Sequence, residues 1–176
     1  MKVPPFGLTT EQIVDELRPL RRDLSVAVVR AKNPFNVGAI IRVAHSFLVR
    51  EIFLIGDAPY YERGSMGMHK YETIVECPTE AAFLERVRSE RRPLVGVERD
   101  HARLTLWEAE LPGNVVLTFG SEDDGLPPEI LDACDQVIAI PMYGINHSFP
   151  LTVACGIVLA EWARRHDPRG SGSRRT

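Results

Sequence analysis

Short apolar runs alternate with amphipathic segments along most of the chain. The apolar runs are rich in β-branched residues and too short for typical helices, a pattern that favours buried strands. They are SVAVVR (25–30), EIFLIG (51–56), ETIVEC (72–77), PLVGVE (93–98), NVVLTFG (114–120) and QVIAIP (136–141). Continuously apolar strands separated by helices predict an α/β fold with a mostly parallel sheet and helices on both faces.

Helical spacing of apolar residues marks the segments between these runs. The predicted helices cover residues 9–20, 36–47, 79–91 and 151–166. Thr9 or Thr10 is placed to cap the first helix, and Asn36 to cap the second. In the third helix we expect an inner face of Ala82, Leu84 and Val87.

The chain reads as one domain, because no repeat or linker divides it. We assign residues 1–166 to this domain, with a helical extension over 1–23, and expect a disordered basic tail over 167–176. Ligands of parallel α/β sheets bind beyond the carboxyl ends of the strands. The segments that follow the strands therefore hold the candidate site.

The charge is divided unevenly along the chain. Its 21 Lys and Arg residues and 24 Asp and Glu residues give a net charge of −3, which argues against a uniformly basic nucleic-acid binder. Residues 1–50 nevertheless carry eight bases and four acids, 51–160 eight and eighteen, and 161–176 five and two. Both ends are basic around an acidic middle. Eighteen of the 21 bases are Arg, which suits phosphate, although biased codon usage explains the excess at least as well.

The three cysteines are odd in number and far apart, so they fit neither a disulfide framework nor paired CxxC zinc ligands. No apolar stretch approaches the length of about 20 residues that a transmembrane helix needs. The N-terminus lacks the apolar core of a signal peptide. We expect a reduced cytoplasmic protein without structural metal or membrane association.

The segment AKNPFNVGAIIR (31–42) follows the first strand. Gly38 in the first helical turn lets another backbone or a ligand come close. Arg42 lies between Ile41 and Val43 in an otherwise apolar helix start, so we expect it to be partly buried and to have a partner, although arginines on helices usually face solvent.

The segment LTFGSEDDGLPPEIL (117–131) joins a strand to an acidic turn. The spacing of Gly120 and Gly125 imitates a P-loop, but Leu126 and Pro127 occupy the required Lys and Ser/Thr positions, and three acids would repel phosphate. As a group the acids favour a solvated turn over a metal site. Glu122 alone is well placed for a functional partner such as Arg42.

The segment IPMYGINHSFPLTVACGIVLAEW (140–162) leads from a strand into a helix rich in small residues. Small residues on one helix face allow ordinary helix–sheet packing, a tight dimer or an unusual chain crossing. His147 has no metal-ligand companions nearby. Ser148 beside it is no hydrolase nucleophile, because the chain lacks a GxSxG elbow.

Three segments of the chain, taken in order, resemble the three motifs of the SpoU (TrmH-like) branch of the SPOUT RNA methyltransferases. They are NPFNVGAIIR, GSEDDGLP and IPMYG…S. The resemblance runs from about Leu24 to Trp162, and RGSMGMHKY between the motifs is also similar. It implies a SPOUT fold with a C-terminal deep trefoil knot, a homodimer, and S-adenosylmethionine-dependent methylation of ribose 2′-hydroxyls of tRNA or rRNA.

The resemblance also implies site residues. The cofactor would be held by Gly120 of the second motif, residues of the third motif, and the strand end at Glu98; the third-motif residues are Ile140, Met142, Ser148 and Phe149. The active-site positions of the family correspond to Asn36, Arg42, Glu122 and Ser148. Arg42 would hold a phosphate and stabilise the developing alkoxide, Glu122 would orient Arg42, and Asn36 would fix the loop.

One residue departs from the family pattern. The third motif normally continues as Ser-Leu-Asn-Val-Ser, whereas this chain has Pro150 in place of the Asn. Three explanations stay open. Either Asn146 or His147 supplies the contact that the Asn of the family makes, or the enzyme works differently, or the chain is a catalytically impaired knotted RNA-binding protein. Methylation of a base nitrogen in the same fold is disfavoured by the match to the ribose-modifying branch.

RNA binding is expected at the dimer surface and the basic ends, because the N-terminal RNA-binding domain of some relatives is missing. Each of these arginines is individually more typical of a solvated surface charge. The candidates are Arg18, Arg21, Arg22, Arg30 and Arg42, followed by Arg164, Arg165, Arg174 and Arg175.

Overall fold

The computed structural model describes residues 7–30 and 33–167. The strands are β1 (Ser25–Val29), β2 (Ile52–Ile55), β3 (Ile74–Cys77), β4 (Leu94–Val97), β5 (Leu104–Thr105), β6 (Val116–Phe119) and β7 (Gln136–Ala139). The α-helices are α1 (Thr10–Leu17), α2 (Pro34–Ser46), α3 (Glu80–Ser89), α4 (Pro128–Ala133) and α5 (Leu151–His166). Three short 3₁₀ helices cover Arg18–Leu20, Glu62–Ser65 and Met68–Tyr71.

The strands form one sheet in the order β3-β2-β1-β6-β4-β7-β5, and every neighbouring pair is parallel. Helices α2 and α5 pack on one face, and α3 and α4 pack on the other. Alternate residues of β1 show this division, since Val26 and Val28 join the core under α2 while Ala27 joins the core under α3. The predicted α/β fold with both faces covered is confirmed.

Helix α2 begins earlier than the sequence pattern indicated. Pro34 occupies its first turn, and the side-chain oxygen of Asn33 accepts a hydrogen bond from the Phe35 amide at 3.1 Å. The prediction that Asn36 caps this helix is therefore wrong, because Asn36 lies inside the first turn. Proline favours the first helical position because its fixed φ suits the helix and its missing N–H costs nothing there.

Gly38 brings α2 against the 3₁₀ helix Glu62–Ser65. A Cβ at Gly38 would lie 2.6 Å from the carbonyl oxygen of Tyr61 and 2.9 Å from the Cα of Gly64. No side chain fits in this space, so the expectation that Gly38 admits a second backbone is confirmed. The contact fixes the position of the first motif relative to the segment after β2.

A largely buried ion pair attaches the N-terminal extension to the rest of the fold. Arg21 Nη1 donates to Glu72 Oε2 and to the Val49 carbonyl, each at 2.6 Å, and Arg21 also bonds the Tyr71 carbonyl. The Glu72 side chain is fully buried, and its other oxygen lies 2.7 Å from His45 Nδ1. Burial of this paired charge ties the extension to α2 and to the segment before β3.

Helix α3 is capped by Thr79, whose hydroxyl accepts the Ala82 amide at 3.2 Å. Its buried side chains are Phe83, Leu84 and Val87. Ala82 is exposed, so its assignment to the inner face is wrong. The inner face is centred one residue further along the helix, where Phe83 packs against Phe53 with a ring-centroid distance of 5.5 Å.

Arg91 lies two residues beyond the end of α3 and has a left-handed conformation, with φ of +52°. Glycine adopts this conformation without the steric cost that a Cβ imposes. We expect Arg91→Gly to raise the free energy of unfolding by about 0.5–1 kcal/mol. Arg88→Gly, inside the same helix, should lower it by about 1 kcal/mol. Urea denaturation of both variants tests the pair, and a loss of stability in Arg91→Gly would contradict the explanation.

Glu161 of α5 is buried and accepts hydrogen bonds from Arg164 Nε at 2.7 Å and Arg165 Nε at 2.7 Å. Arg165 also donates to the carbonyls of Ala109 and Leu106, both at 2.6 Å. The hydrogen bond from Arg164, followed by that from Arg165, lowers the pKa of Glu161 from 4.5 to about 2 against the opposing effect of burial. The cluster fastens the end of α5 to the segment after β5.

Acid should weaken this attachment. The carboxylate stabilises the fold above pH 4.5, where it is ionised even in the unfolded chain, and the benefit disappears as pH falls from about 4.5 towards 2. We expect Glu161→Gln to lower the free energy of unfolding at pH 7 by about 1–2 kcal/mol. Denaturation between pH 7 and pH 3 checks this, since the difference between variant and parent should shrink on acidification. A constant difference would contradict the assignment.

Candidate functional site

A cleft opens beyond the carboxyl ends of β4, β6 and β7, with a volume of about 660 Å³. This size lies within the range of pockets that bind cofactors. Its walls come from the loop after β4, the loop after β6, and the loop that joins β7 to α5. They comprise Val97–His101, Phe119–Leu126, Ile138–Ile140, Met142, His147–Leu151 and Ala154.

The cleft brings together every residue expected to hold the cofactor. They come from all three walls, although they are spread over a long stretch of sequence; they are Glu98, Gly120, Ile140, Met142, Ser148 and Phe149. Arg99, Asp100 and His101 also line the cleft and were missed. They follow the end of β4 directly, so the rule that ligands bind beyond strand ends could have found them.

Gly120 is required by the close approach of the chain at the base of the cleft. The amide of Ser121 donates to the carbonyl of Gly125 at 3.0 Å, and the amide of Gly125 donates back at 3.1 Å. A Cβ at Gly120 would lie 2.1 Å from the carbonyl carbon of Gly125. The acidic turn is therefore closed upon itself, and its backbone forms one wall of the cleft.

Glu98 links two walls of the cleft. Its Oε2 accepts the Leu126 amide at 3.1 Å, and its Oε1 accepts the Arg99 amide at 2.8 Å. The carboxylate thus holds the loop after β6 against the end of β4. The expectation that the strand end at Glu98 forms a wall agrees with this position.

Two of the four predicted active-site residues lie in the cleft lining, and two do not. Glu122 and Ser148 line it, and both are exposed. Asn36 and Arg42 of α2 lie outside its lining. The side-chain nitrogen of Asn36 is buried and has no hydrogen-bond partner among residues 7–30 and 33–167.

In this single chain Arg42 is neither partly buried nor paired with a described residue, although the sequence led us to expect both. Its side chain is exposed, and no residue in the described part of the chain pairs with it. Among the described residues, no ion pair or hydrogen bond joins it to the expected partner Glu122. Arg42 faces outward because α2 buries its other side, through Val37, Ile40, Ile41 and Ala44.

The residues around Pro150 show how the third motif ends. Pro150 precedes α5, and its carbonyl accepts the amides of Val153 at 2.9 Å and Ala154 at 3.0 Å. The Asn146 side chain donates to the Ser148 carbonyl at 3.3 Å, within its own loop. The carbonyl of His147 accepts a hydrogen bond from Arg99. The Asn146 amide is therefore engaged in shaping this loop.

The candidate RNA-binding arginines differ in exposure and in their partners. Arg21 and Arg30 are engaged inside the fold, which corrects their assignment to an RNA surface: Arg30 pairs with Glu76 and its side chain is only 7% exposed. Arg18 is exposed and lies 2.8 Å from Asp15. Arg22 is half-buried, and Arg164 and Arg165 bond Glu161. Arg174 and Arg175 lie outside the described residues.

Burial makes the cysteines unsuited to nucleophilic chemistry. Desolvation raises the pKa of both Cys134 and Cys155 to about 12, and it also raises the pKa of Cys77. Across residues 7–30 and 33–167, no three His, Cys, Asp or Glu side chains group so as to hold a metal ion. The helices in these ranges include none that is long and apolar enough to cross a membrane.

The sequence of this chain matches the model of the SpoU rRNA Methylase family over residues 23–160. The chain belongs to the SpoU rRNA Methylase family. The match covers all seven strands and the three loops of the cleft, so the family assignment rests on the same part of the chain as the candidate site.

Relatives of this SpoU-family chain include RNA methyltransferases. The tRNA (guanosine(18)-2′-O)-methyltransferase of Aquifex aeolicus is 27% identical over 168 residues, which cover 93% of this chain and 80% of the relative. The 23S rRNA (guanosine-2′-O-)-methyltransferase of Acinetobacter baylyi is also 27% identical, over 93% of this chain and 68% of the relative.

A solved structure with a bound cofactor has a similar fold. The SpoU methyltransferase AviRb from Streptomyces viridochromogenes, in complex with AdoMet, superposes with a TM-score of 0.76 at 26% identity. The superposition covers 85% of this chain and 60% of the AviRb chain. The match to the SpoU branch and its SPOUT fold is confirmed.

Proposed function

We propose that this SpoU-family chain transfers the methyl group of S-adenosylmethionine to a ribose 2′-hydroxyl of tRNA or rRNA. The observation that carries the proposal is the convergence of all six cofactor-binding candidates on one cleft at the carboxyl edge of the sheet. The two RNA classes are those on which the Aquifex aeolicus and Acinetobacter baylyi relatives act.

The lining of the cleft fits this cofactor. Apolar side chains such as Ile140 and Met142 can cover an adenine ring, and the bare backbone at Gly120 allows close approach. Carboxylates at Glu98 and Glu122 suit a ligand that carries a positive sulfonium. When bound, the cofactor supplies an electrophilic methyl group whose leaving group is a neutral thioether, so the protein need not protonate it.

The residues of the chain then align the hydroxyl and stabilise its developing charge. Arg42 cannot act as a literal base, because a guanidinium stays protonated in proteins. We propose that Arg42 binds the phosphate beside the target ribose and stabilises the developing alkoxide, while phosphate or water accepts the proton. Ser148 lines the cleft and would bond the ribose, Glu122 would orient Arg42, and Asn36 would fix the start of α2.

A second copy of the chain would explain why Arg42 and Asn36 lie outside the cleft. We propose a homodimer in which one copy presents Arg42 at the cleft of the other. We also propose that each copy has the deep trefoil knot of the fold family. The exposed apolar side chains support such an interface, since Phe35 of α2 is 57% exposed and Val153 of α5 is 44% exposed. Light scattering coupled to size exclusion measures the oligomeric state.

Mixed dimers test the shared site. Arg42→Ala and Ser148→Ala chains should each be inactive alone, and co-refolding them should restore part of the activity if each site draws on both copies. Activity that stays absent after verified subunit exchange would contradict the shared site. It would leave the methyltransferase assignment in place.

RNA contacts are proposed for Arg18, Arg22 and Arg42, which no ion pair within the described ranges holds inside the fold. Neutralising them together should flatten the dependence of RNA affinity on salt, because each phosphate contact releases condensed counterions. Arg88→Ala, on the opposite face of the sheet, is the matched control. A slope equal to that of the parent would remove these arginines from the interface.

The domain limits, the disordered tail and the cytoplasmic location stay predictions.

The decisive experiment is incubation with labelled S-adenosylmethionine and total RNA, followed by digestion to nucleosides. We expect label on a 2′-O-methylated nucleoside, and no label with Arg42→Ala. Label on a base would overturn the ribose assignment. RNA binding without label would favour the alternative suggested by Pro150, a knotted RNA-binding protein that has lost catalysis.

A further inference from the structure

The loop of residues 141–149 forms one wall of the cleft and has little attachment to the rest of the fold. Tyr143 is 92% exposed and Ile145 is 98% exposed. The Asn146 side chain bonds only within the loop, to the Ser148 carbonyl. In the described part of the chain, one hydrogen bond joins this loop to another segment, and Arg99 donates it to the His147 carbonyl.

Arg99 is held in the orientation that this bond requires. Its Nε donates to Asp100 Oδ1 at 2.6 Å, and its Nη2 donates to Asp100 Oδ2 at 3.0 Å. The bidentate pair leaves Nη1 to reach across to the His147 carbonyl. The hydrogen bond from Arg99 lowers the pKa of Asp100, so the orienting carboxylate is ionised at neutral pH.

The two residues at the end of β4 therefore contact both of the other walls. Glu98 holds the loop after β6 through the Leu126 amide, and Arg99 holds the loop of residues 141–149. Pro150 closes that loop without an amide N–H or a polar side chain, so it cannot donate a hydrogen bond that would anchor the loop.

We propose that Arg99, oriented by Asp100, is a positioning residue that holds the loop of residues 141–149 over the cleft and slows the departure of the cofactor. The proposal rests on the proposed function, because it assigns S-adenosylmethionine to this cleft. Arg99 acts through the loop, whose residues Met142, Ser148 and Phe149 line the cavity.

The test compares Arg99→Ala with Arg99→Lys and with Arg103→Ala. Arg103 is exposed beyond the same strand, and its side chain has no partner in the described ranges, so its loss removes the same charge without the loop contact. Hydrogen exchange of residues 142–149 is measured without cofactor, and the dissociation rate of S-adenosylmethionine is measured by stopped flow.

For Arg99→Ala we expect exchange in the loop and cofactor dissociation to be about tenfold faster, the effect of losing one charge-assisted hydrogen bond. The KM for S-adenosylmethionine should rise, and the melting temperature should not change. Arg99→Lys should keep part of the parent's slow loop exchange and slow cofactor dissociation, because lysine keeps one donor. Arg103→Ala should behave as the parent.

Unchanged loop exchange in Arg99→Ala, or an equal effect in Arg103→Ala, would overturn the proposal. A parent protein that fails to bind S-adenosylmethionine, while Arg99→Ala still accelerates exchange, would overturn the proposed function and support the loop contact. The two failures are therefore distinguishable.

Discussion

Replacing Arg42 with alanine should lower methyl transfer by about 100- to 1,000-fold, the usual cost of removing a group that stabilises developing negative charge. Cofactor affinity should stay within about twofold, because Arg42 lies outside the lining of the cleft. The fold should also be unaffected, since the side chain is exposed and has no partner in the described part of the chain. Single-turnover rates with RNA and calorimetric titration of the cofactor measure the two effects separately.

The matched controls for Arg42 are Arg42→Lys and Arg88→Ala. Lysine keeps the charge but loses the planar fork that suits phosphate, so its rate should lie between those of the parent and Arg42→Ala. Arg88 is exposed on α3, on the other face of the sheet, and its loss should change the rate little. If Arg42→Ala lost cofactor affinity as strongly as turnover, the assigned role would be wrong.

Gly120→Ala should abolish measurable cofactor binding and lower the free energy of unfolding by about 1–3 kcal/mol, the range observed for overpacking. The added Cβ would lie 2.1 Å from the carbonyl carbon and 2.4 Å from the carbonyl oxygen of Gly125. Both neighbours are backbone atoms, so they cannot yield by a side-chain rotation. The reciprocal bonds between Ser121 and Gly125 would have to break, and the wall that they form would move.

Gly113→Ala controls for the loss of a glycine elsewhere. A Cβ there meets only the His166 ring, at 3.8 Å, which is an ordinary contact. Urea denaturation and cofactor titration of both variants give the comparison. Normal cofactor affinity in Gly120→Ala would show that the closed turn is not part of the binding wall.

The elements that repeat a strong local pattern were predictable from the sequence. The predicted limits of α5 agree with the observed Leu151–His166, because apolar residues recur at helical spacing up to a polar end. The two-residue β5 carries too short a pattern to be recognised. For α2 we predicted Asn36 as the cap, whereas Asn33 caps the helix and Pro34, which favours the first helical position, follows it.

Long-range polar partners could not be predicted. Arg21 pairs with Glu72, which is 51 residues away, and nothing local to Arg21 distinguishes it from the exposed Arg18. The acceptor for Arg99 is a backbone carbonyl 48 residues away, and every residue carries one. The family motifs were what predicted the residues that line the cleft. The exposure of Arg42 could not be predicted in this way, because it depends on which face of α2 the rest of the fold buries.

The all-parallel order of the sheet has a consequence for folding. Parallel neighbours cannot be joined by a tight hairpin, so each pairing must wait for a long crossover to close. The chain should fold more slowly than a helical bundle of equal length. Since β4, β6 and β7 supply the cleft and are separated by such crossovers, no early fragment can hold the cofactor. Binding of S-adenosylmethionine during refolding should therefore appear only with the final cooperative phase, which makes the ligand a reporter of complete assembly.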